Sequence, residues 1–377
     1  MRHDLRQCPT QGVTLFLVGV LVGICFYPPF HFSMQRFLPS TVDNIFSPPP
    51  LALAPPVPAH LNISSPPLLL PSSPHIESIV HIADDAAKRM TELLVGCGEV
   101  CNTSITGVQS KFFPRLTKII NCTGLWGNAA IDASRSPGQA PEIPVSLIKH
   151  FSYAGKISMK RYKKQLLTRQ YLNTKALFSV WTKEMIEEGR AQCGKGELEG
   201  TYGRGVTASL LAGLQQMASI KNGHVLVVGS ERPWVESCLL FAGARMVTTL
   251  EYGAIASEHP QVNTLVPHAA RAAFAAGTLP LFDAVVTFSS VEHSGLGRYG
   301  DALNPWGDLQ SVARAWCVTR PGGGLLLGVP VGPDQIMFNA HRVYGPVMLS
   351  HLTANWDQVS RKKGGGQPVQ IFTKPNF

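Results

Sequence analysis

The sequence predicts a doubly wound α/β domain with a mostly parallel sheet, set behind an N-terminal membrane anchor and a proline-rich stem. Three observations carry this. From Asn222 onward, continuous apolar runs bounded by Gly and Pro alternate with helical patterns, the signature of parallel strands buried on both faces. Residues 12–32 form one uncharged apolar stretch of 21 residues behind Arg2 and Arg6, about the length that spans a bilayer core. Between Pro28 and Pro74 there are 13 prolines in 47 residues, too many for helix or sheet ladders.

The chain has 377 residues, 45% hydrophobic and 15% charged. A sizeable core is therefore possible, and whole-chain disorder is excluded. A single long apolar run excludes a polytopic membrane protein. The formal net charge is +9, yet eight basic residues and no acidic one lie between Lys149 and Lys175. The charge excess is local, unlike the distributed basic surface of a nucleic-acid binder, so no nucleic-acid partner is expected.

In chain order, residues 1–11 are a cytoplasmic tail, 12–32 a signal anchor and 33–74 a semi-rigid stem. The apolar run ends in Cys25-Phe26-Tyr27-Pro28, bulky where a cleaved signal peptide wants small residues. A retained type II anchor is the expectation, with the remaining chain in the lumen of the Golgi or endoplasmic reticulum. The sequons at Asn62, Asn102 and Asn121 all lie on that side, as glycosylation acceptors must. Residues 75–200 form an accessory region of helix and loop, and 201–377 the α/β domain. Ser73-Pro74 starts a helix whose apolar positions run from Ile76 to Leu94, with Gly96 ending it.

Six cysteines follow the anchor. Cys97, Cys101, Cys122 and Cys193 sit in loop-like sequence and are read as one or two bridges. Cys238 and Cys317 fall on apolar helix faces and are read as reduced core residues. No paired Cys or His at ligand spacing follows Cys97 and Cys101, and no metal site is expected. The stretch from Lys160 to Trp181 reads as a helix with a charged face. It is either solvated or, over 149–175, in contact with an anionic glycan or lipid surface.

In the α/β domain, Val225–Val228 is the first strand and Ser230-Glu231-Arg232 the turn after it. Pro233 opens the helix that runs to Ala242. Met246–Leu250 and Val262–Val266 follow as strands, then an alanine-rich helix at His268–Ala276 and the strand Phe282–Phe288. A loop from Ser289 to Asn304 precedes a helix from Asp308 to Cys317. Pro321-Gly322-Gly323-Gly324 turns into the strand Leu325–Val329, and Pro368–Lys374 adds an edge strand.

In doubly wound sheets, ligands bind beyond the carboxyl ends of the strands, at the topological switch point. Gly229 ends the first strand, where backbone is expected to approach a ligand. Glu251 ends the second strand 22 residues later, where a carboxylate can accept hydrogen bonds from ribose hydroxyls. Glu292 and His293 follow the strand from Phe282, placed as a general base toward a substrate hydroxyl; the alternative is that they cap the strand end. Arg298, Tyr299 and Asp301 lie on a glycine-punctuated loop suited to holding substrate.

These features, with FDAVV…EH and RPGGGLLLGVP, resemble the class I S-adenosylmethionine-dependent methyltransferases. More closely, VGSERPWVE (228–236), EHSGLGRYGD (292–301), NPWGDL (304–309) and PGGGLLLGVPVG (321–332) resemble domain-of-unknown-function family 268. The resemblance implies a Rossmann-like, methyltransferase-like core with S-adenosylmethionine as cofactor, held by Gly229, Ser230, Glu231, Glu251 and Ser289. One departure is plain. The first strand has no acidic residue and its turn a single glycine, so Glu231 must turn from the cofactor carboxylate or pair with Arg232. The expected activity is methyl transfer to a glycan or small hydroxyl substrate in the lumen. A glycosyltransferase shares the layout of anchor and stem, but no Asp-x-Asp motif is present. A binding module on a catalytically lapsed fold is the third reading.

Overall fold

The computed structural model describes residues 88–104, 116–133, 143–161, 179–299, 301–362 and 367–376, all within one compact unit, Leu70–Phe377. The tail, anchor and stem, Asn62, and 162–178 of the basic stretch lie outside the described residues. Among those described, no helix is long and apolar enough to cross a membrane.

The elements of the N-terminal part are helix α1 (88–94), α2 (Cys122–Gly127), α3 (Val145–Phe151), strands β1 (Ser158–Arg161) and β2 (Ser179–Trp181), α4 (Lys183–Lys195) and α5 (Arg204–Leu214). The alternating part follows as β3 (His224–Val228), α6 (Trp234–Phe241), β4 (Met246–Leu250), β5 (Ile255–Ser257), β6 (Val262–Leu265), α7 (Pro267–Ala275), β7 (Phe282–Phe288) and α8 (Gly307–Val318). Last come β8 (Thr319–Gly328), β9 (Gln335–Phe338), β10 (His341–Val343), α9 (Pro346–Leu352), β11 (Asp357–Lys362) and β12 (Val369–Thr373).

Seven strands make one sheet in the order β11-β12-β8-β7-β3-β4-β6. The pairs from β6 through β8 are parallel, and β12 runs antiparallel to both its neighbours. After β3 the chain steps outward through β4 and β6, then returns to β7 on the other side of β3. The switch point therefore lies between β3 and β7. Alternate side chains of a strand face opposite sides: Val225 and Val227 enter one core beneath α4, α5 and α6, while Leu226 enters the other beneath α2 and α8. This two-sided burial is why the strand sequence is apolar throughout.

The fold corrects several expectations. The basic stretch is not one helix: Ser158–Arg161 pairs parallel with β9, and Ser179–Trp181 pairs parallel with β5, burying Trp181. Pairing with distant strands overrides local helical patterning there. The Pro321–Gly324 segment falls inside the span of β8, but only Gly324 is paired there, and Gly322, at φ +72°, keeps the expected turn. The partners of β8 jump from Phe282↔Thr319 to Ala284↔Gly324, so the residues between are carried as an exposed irregularity. The C-terminal strand is internal, and β11, rich in charged and polar residues, is the edge instead.

Cys238 and Cys317 are not reduced. Three disulfides join Cys97 to Cys101, Cys122 to Cys317 and Cys193 to Cys238. Buried cysteines on two packed helices can meet where sequence alone shows only apolar faces. Three bridges fit an oxidising compartment. As expected, α1 stops before Gly96, whose φ of +72° closes it. The described accessory residues 88–104 and 116–133 pack on α8. Besides the Cys122–Cys317 bridge, the Arg314 guanidinium donates to the carbonyls of Leu125 and Asn128 and to the Asp132 carboxylate.

Candidate functional site

Three loops meet at the carboxyl end of the sheet: 229–233 after β3, 251–254 after β4, and 289–306 after β7. The Glu251 carboxylate ties the first two together. One oxygen accepts from the Ser230 amide at 2.7 Å and the other from the Tyr252 amide at 2.7 Å. Burial pushes its pKa up, and the two amides partly oppose that shift. Each oxygen retains acceptor capacity for a ligand hydroxyl.

Gly229 has φ +78°, and a side chain there would stand 1.8 Å from Ser290 Oγ. The β7 loop approaches this backbone closely, while Gly229 also lines the cleft where a ligand is expected. A Cβ would force the two loops apart, which is why glycine is required.

A cleft open to solvent, with about 710 Å³ of empty space when its mouth is included, lies beside Glu251. Among its wall residues are Gly229, Ser230, Glu231, Glu251, Ser289, His293, Tyr299 and Asp301, all singled out in the sequence. Trp234 stands on the wall, where its ring packs edge-on against Phe288, so it does not fill the space. A second such cleft, with about 610 Å³ of empty space, shares Gly229, Glu251 and Tyr252 and extends to Trp126 and Arg314 of the accessory contact.

Two expected residues are not on the wall. The Glu292 carboxyl is fully buried behind it, accepting from Ser289 Oγ at 2.8 Å. Its direct role as a base facing substrate is corrected accordingly: residues 291–293 form a 3-10 turn that directs Glu292 inward. Arg298 lies over the Tyr299 ring, 5.0 Å from its centroid, and its Nη1 is 3.5 Å from the Ala340 carbonyl.

His293 reaches the cavity but is also 8% exposed and tied to backbone. Its Nδ1 lies 2.6 Å from the Ala340 carbonyl, which requires the proton on Nδ1. The 3.3 Å approach of Arg298 Nη1 to that nitrogen is then donor against donor, not a bond. Burial drives the ring's pKa down to about 3. The ring stays neutral, and its 3.7 Å approach to Glu292 is no ion pair. Asp301 lines the cavity while its carboxylate accepts from the Gly295 and Tyr299 amides, so it shapes the loop.

Sequence reasoning missed Glu236, one turn into α6. It is fully buried, its pKa raised by burial to about 7. Thr249 Oγ1 donates to Oε1 at 2.7 Å, and Oε2 lies 3.1 Å from Ser230 Oγ. Ser230 has one hydroxyl proton, and the Arg232 carbonyl takes it at 2.8 Å. A protonated Glu236 donating to Ser230 satisfies every partner. The raised pKa favours the fold below the unfolded-state value, and this contribution is lost as pH rises through about 7. Glu236→Gln keeps the neutral hydrogen bonds and should hold the thermal midpoint flatter than the parent's between about pH 5 and 8. Identical profiles would mean that Glu236 is already ionised in the fold. The signal for this residue was an acid on the otherwise apolar helix WVESCLLF.

Residues 221–373 match the family model described as "Caenorhabditis protein of unknown function, DUF268". The matched DUF268 segment is about two-fifths of the chain and holds Gly229, Glu236, Glu251 and the 289–306 loop, but not the accessory residues or Tyr202. That description assigns no activity. No curated protein matches. Among solved structures, N-methyltransferase NodS from Bradyrhizobium japonicum WM9 is 14% identical at a TM-score of 0.29, covering 45% of this chain and 93% of its own. Human N-acetylserotonin methyltransferase, in complex with SAM, is 14% identical at 0.32, covering 51% and 56%. A putative hemolysin from Streptococcus thermophilus is 13% identical at 0.32, covering 56% and 70%. Scores this low do not bear on what the chain binds. The doubly wound sheet itself is consistent with the methyltransferase-like core that the DUF268 resemblance implies.

Proposed function

We propose that the α/β domain binds S-adenosylmethionine beside Glu251 and transfers its methyl group to a hydroxyl of a glycan or other small acceptor. The single observation that supports this most is the buried Glu251 carboxylate. It is preset by two backbone amides at the end of the second strand and opens onto the first cleft. The residues present fit the adenosyl half of the cofactor: Glu251 would hold the ribose hydroxyls. The amino-acid half would meet the exposed Glu231, whose charge suits an ammonium group better than a carboxylate. When bound, the cofactor supplies an electrophilic methyl on sulfur. The chain's own part is to orient the acceptor among the hydroxyls of Ser289, Ser290, Ser294 and Tyr299 on the wall. Incubation with methyl-labelled S-adenosylmethionine and a panel of glycans should move label into an acceptor. Label left wholly in the cofactor speaks against transfer.

One observation favours a non-catalytic binding module as second reading: the His293 ring is buried and fastened to the Ala340 carbonyl. Under that reading, cofactor binding persists and no label moves.

The setting belongs to the same proposal: a type II protein of the secretory pathway, anchored by 12–32 and luminal beyond it. Its support is the charge-flanked apolar run, the three disulfides and the exposed side chains of Asn102 and Asn121. Both asparagines use Oδ1 to accept from local amides, of Ser104 and Gly124 respectively, and keep Nδ2 for a glycan. Glycosidase treatment of membranes should increase the gel mobility of the chain, and carbonate should not extract it. An unshifted, carbonate-soluble product overturns the setting.

A further inference from the structure

Ser289, like Ser230 beside Glu236, is a wall residue whose hydroxyl lies against a buried acid. The Ser230 proton goes to the Arg232 carbonyl, whereas Ser289 can hand its proton to its acid. Ser289 follows the last residue of β7 with φ +51°, a left-handed conformation uncommon for a side-chain-bearing residue. Such strain persists where surrounding structure demands it, often at functional sites. Here it is the bend that carries the loop against Gly229.

The hydrogen bonds around Ser289 Oγ have a direction. Gln367 Nε2, a donor from the residues before β12, reaches Oγ at 2.9 Å. Oγ in turn lies 2.8 Å from Glu292 Oε1. The amide can only donate, and of the two neighbours that can accept, Glu292 Oε1 and the Tyr202 hydroxyl, the carboxylate is the stronger acceptor, so the serine's single proton is directed to it. The other Glu292 oxygen, Oε2, is buried with no hydrogen-bond partner. Oε1 also receives Gln367 Nε2 at 3.3 Å, and the Ser289 hydroxyl is the hydrogen-bonded link from Glu292 to the cavity wall.

We propose that Ser289 and Glu292 form a proton relay at the cavity wall, in which Ser289 Oγ takes the proton of a bound hydroxyl and passes its own to Glu292. The proposal rests on the reading above only for the hydroxyl acceptor. The proton balance is simple. The ligand O–H bond breaks and its proton joins Ser289 Oγ, while the original Oγ proton moves to Glu292 Oε1. The ligand oxygen keeps the electron pair, and Glu292 ends neutral.

The acid is suited to that task. Burial raises the Glu292 pKa to about 7, the Ser289 bond and the charges of Arg298 and Arg342 pulling the other way. It is therefore part ionised at neutral pH, where a general base works best. The groups facing it are neutral His293 beside it, Arg298 from its own loop, Arg342 from β10, and the hydroxyls of Tyr202, Tyr299 and Tyr344. In this arrangement Ser289 is the catalytic residue and Glu292 acts through it, as a positioning and proton-accepting residue. Gln367 holds the serine's orientation.

A fluorophosphonate probe tests the relay on the full chain without any cofactor or acceptor. Attack forms an Oγ–P bond and breaks the P–F bond, fluoride leaving with its electron pair, while the Oγ proton passes to Glu292. Peptide mapping should find the adduct on Ser289, absent from Ser289→Ala. The labelling rate in the parent should rise through a midpoint near pH 7 as Glu292 ionises. Glu292→Gln should slow it by about a hundredfold and remove that midpoint. No adduct at Ser289, a rate flat from about pH 5 to 9, or an unchanged rate in Glu292→Gln each overturns the relay. The parent's pH profile decides alone if the variant does not fold. Labelling without S-adenosylmethionine binding would keep the relay and remove the methyl-transfer reading; binding without labelling would do the reverse.

Discussion

Arg342→Met is expected to lower the thermal midpoint by about 10 °C and to loosen the loop that builds the cavity wall. Arg342 is completely buried, and its Nε lies 3.4 Å from the equally buried Asp308 carboxylate, an ion pair without hydrogen-bond alignment. Its two terminal nitrogens donate to the carbonyls of Glu292, Ser294 and Pro305. One guanidinium therefore gathers both ends of the 289–306 loop onto β10. Methionine fills much of the volume but leaves Asp308 without its counter-charge and three carbonyls without donors. Breaking a buried pair from one side costs about 3–5 kcal/mol, more than the usual surface substitution by several-fold. Tyr344, which donates to Asp308 at 3.0 Å, retains part of the network. A double variant, Arg342→Met with Asp308→Leu, should recover much of the loss because no lone charge stays buried. A single variant melting within about 2 °C of the parent would show that the pair does not hold the loop.

The central sheet was legible because its strands are buried on both sides. Val225–Val228 is an apolar run ended by Gly229, Met246–Leu250 and Phe282–Phe288 are short runs rich in β-branched and apolar residues, and each is a strand in the fold. Features defined by distant partners were not legible. Ser158–Arg161 is a strand because β9, far along the chain, offers it an edge. Cys317 is bonded because Cys122, 195 residues earlier, packs against α8. The PGGG segment has turn chemistry and keeps it as an unpaired irregularity of β8, in which only Gly324 pairs with β7 and β12.

The site divides in the same way. Glu251 could be found from its place at the end of the second strand, a property of local order and spacing. The opposite fates of Glu292 and His293 could not, since neighbours in a 3-10 turn diverge and only packing decides which meets the cavity. Gln367, 75 residues beyond Glu292, and Arg342, 50 residues beyond it, enter through tertiary contacts alone. Ser290 explains Gly229 only once the two loops are seen to touch.

Calorimetric titration of the purified protein with S-adenosylmethionine, in the parent and in Glu251→Ala, is the measurement closest to the proposed function. Charge-assisted hydrogen bonds to the ribose contribute about 1.5–3 kcal/mol each, so losing the carboxylate should weaken binding more than tenfold. Because the Ser230 and Tyr252 amides also lose their acceptor, the variant's melting curve must accompany the titration, and Glu251→Gln supplies a less disruptive second variant. A single saturable site in the parent, much weakened in both folded variants, is the expected result. No saturable heat in the parent, or equal affinity in parent and folded variants, would contradict an adenosyl site at Glu251.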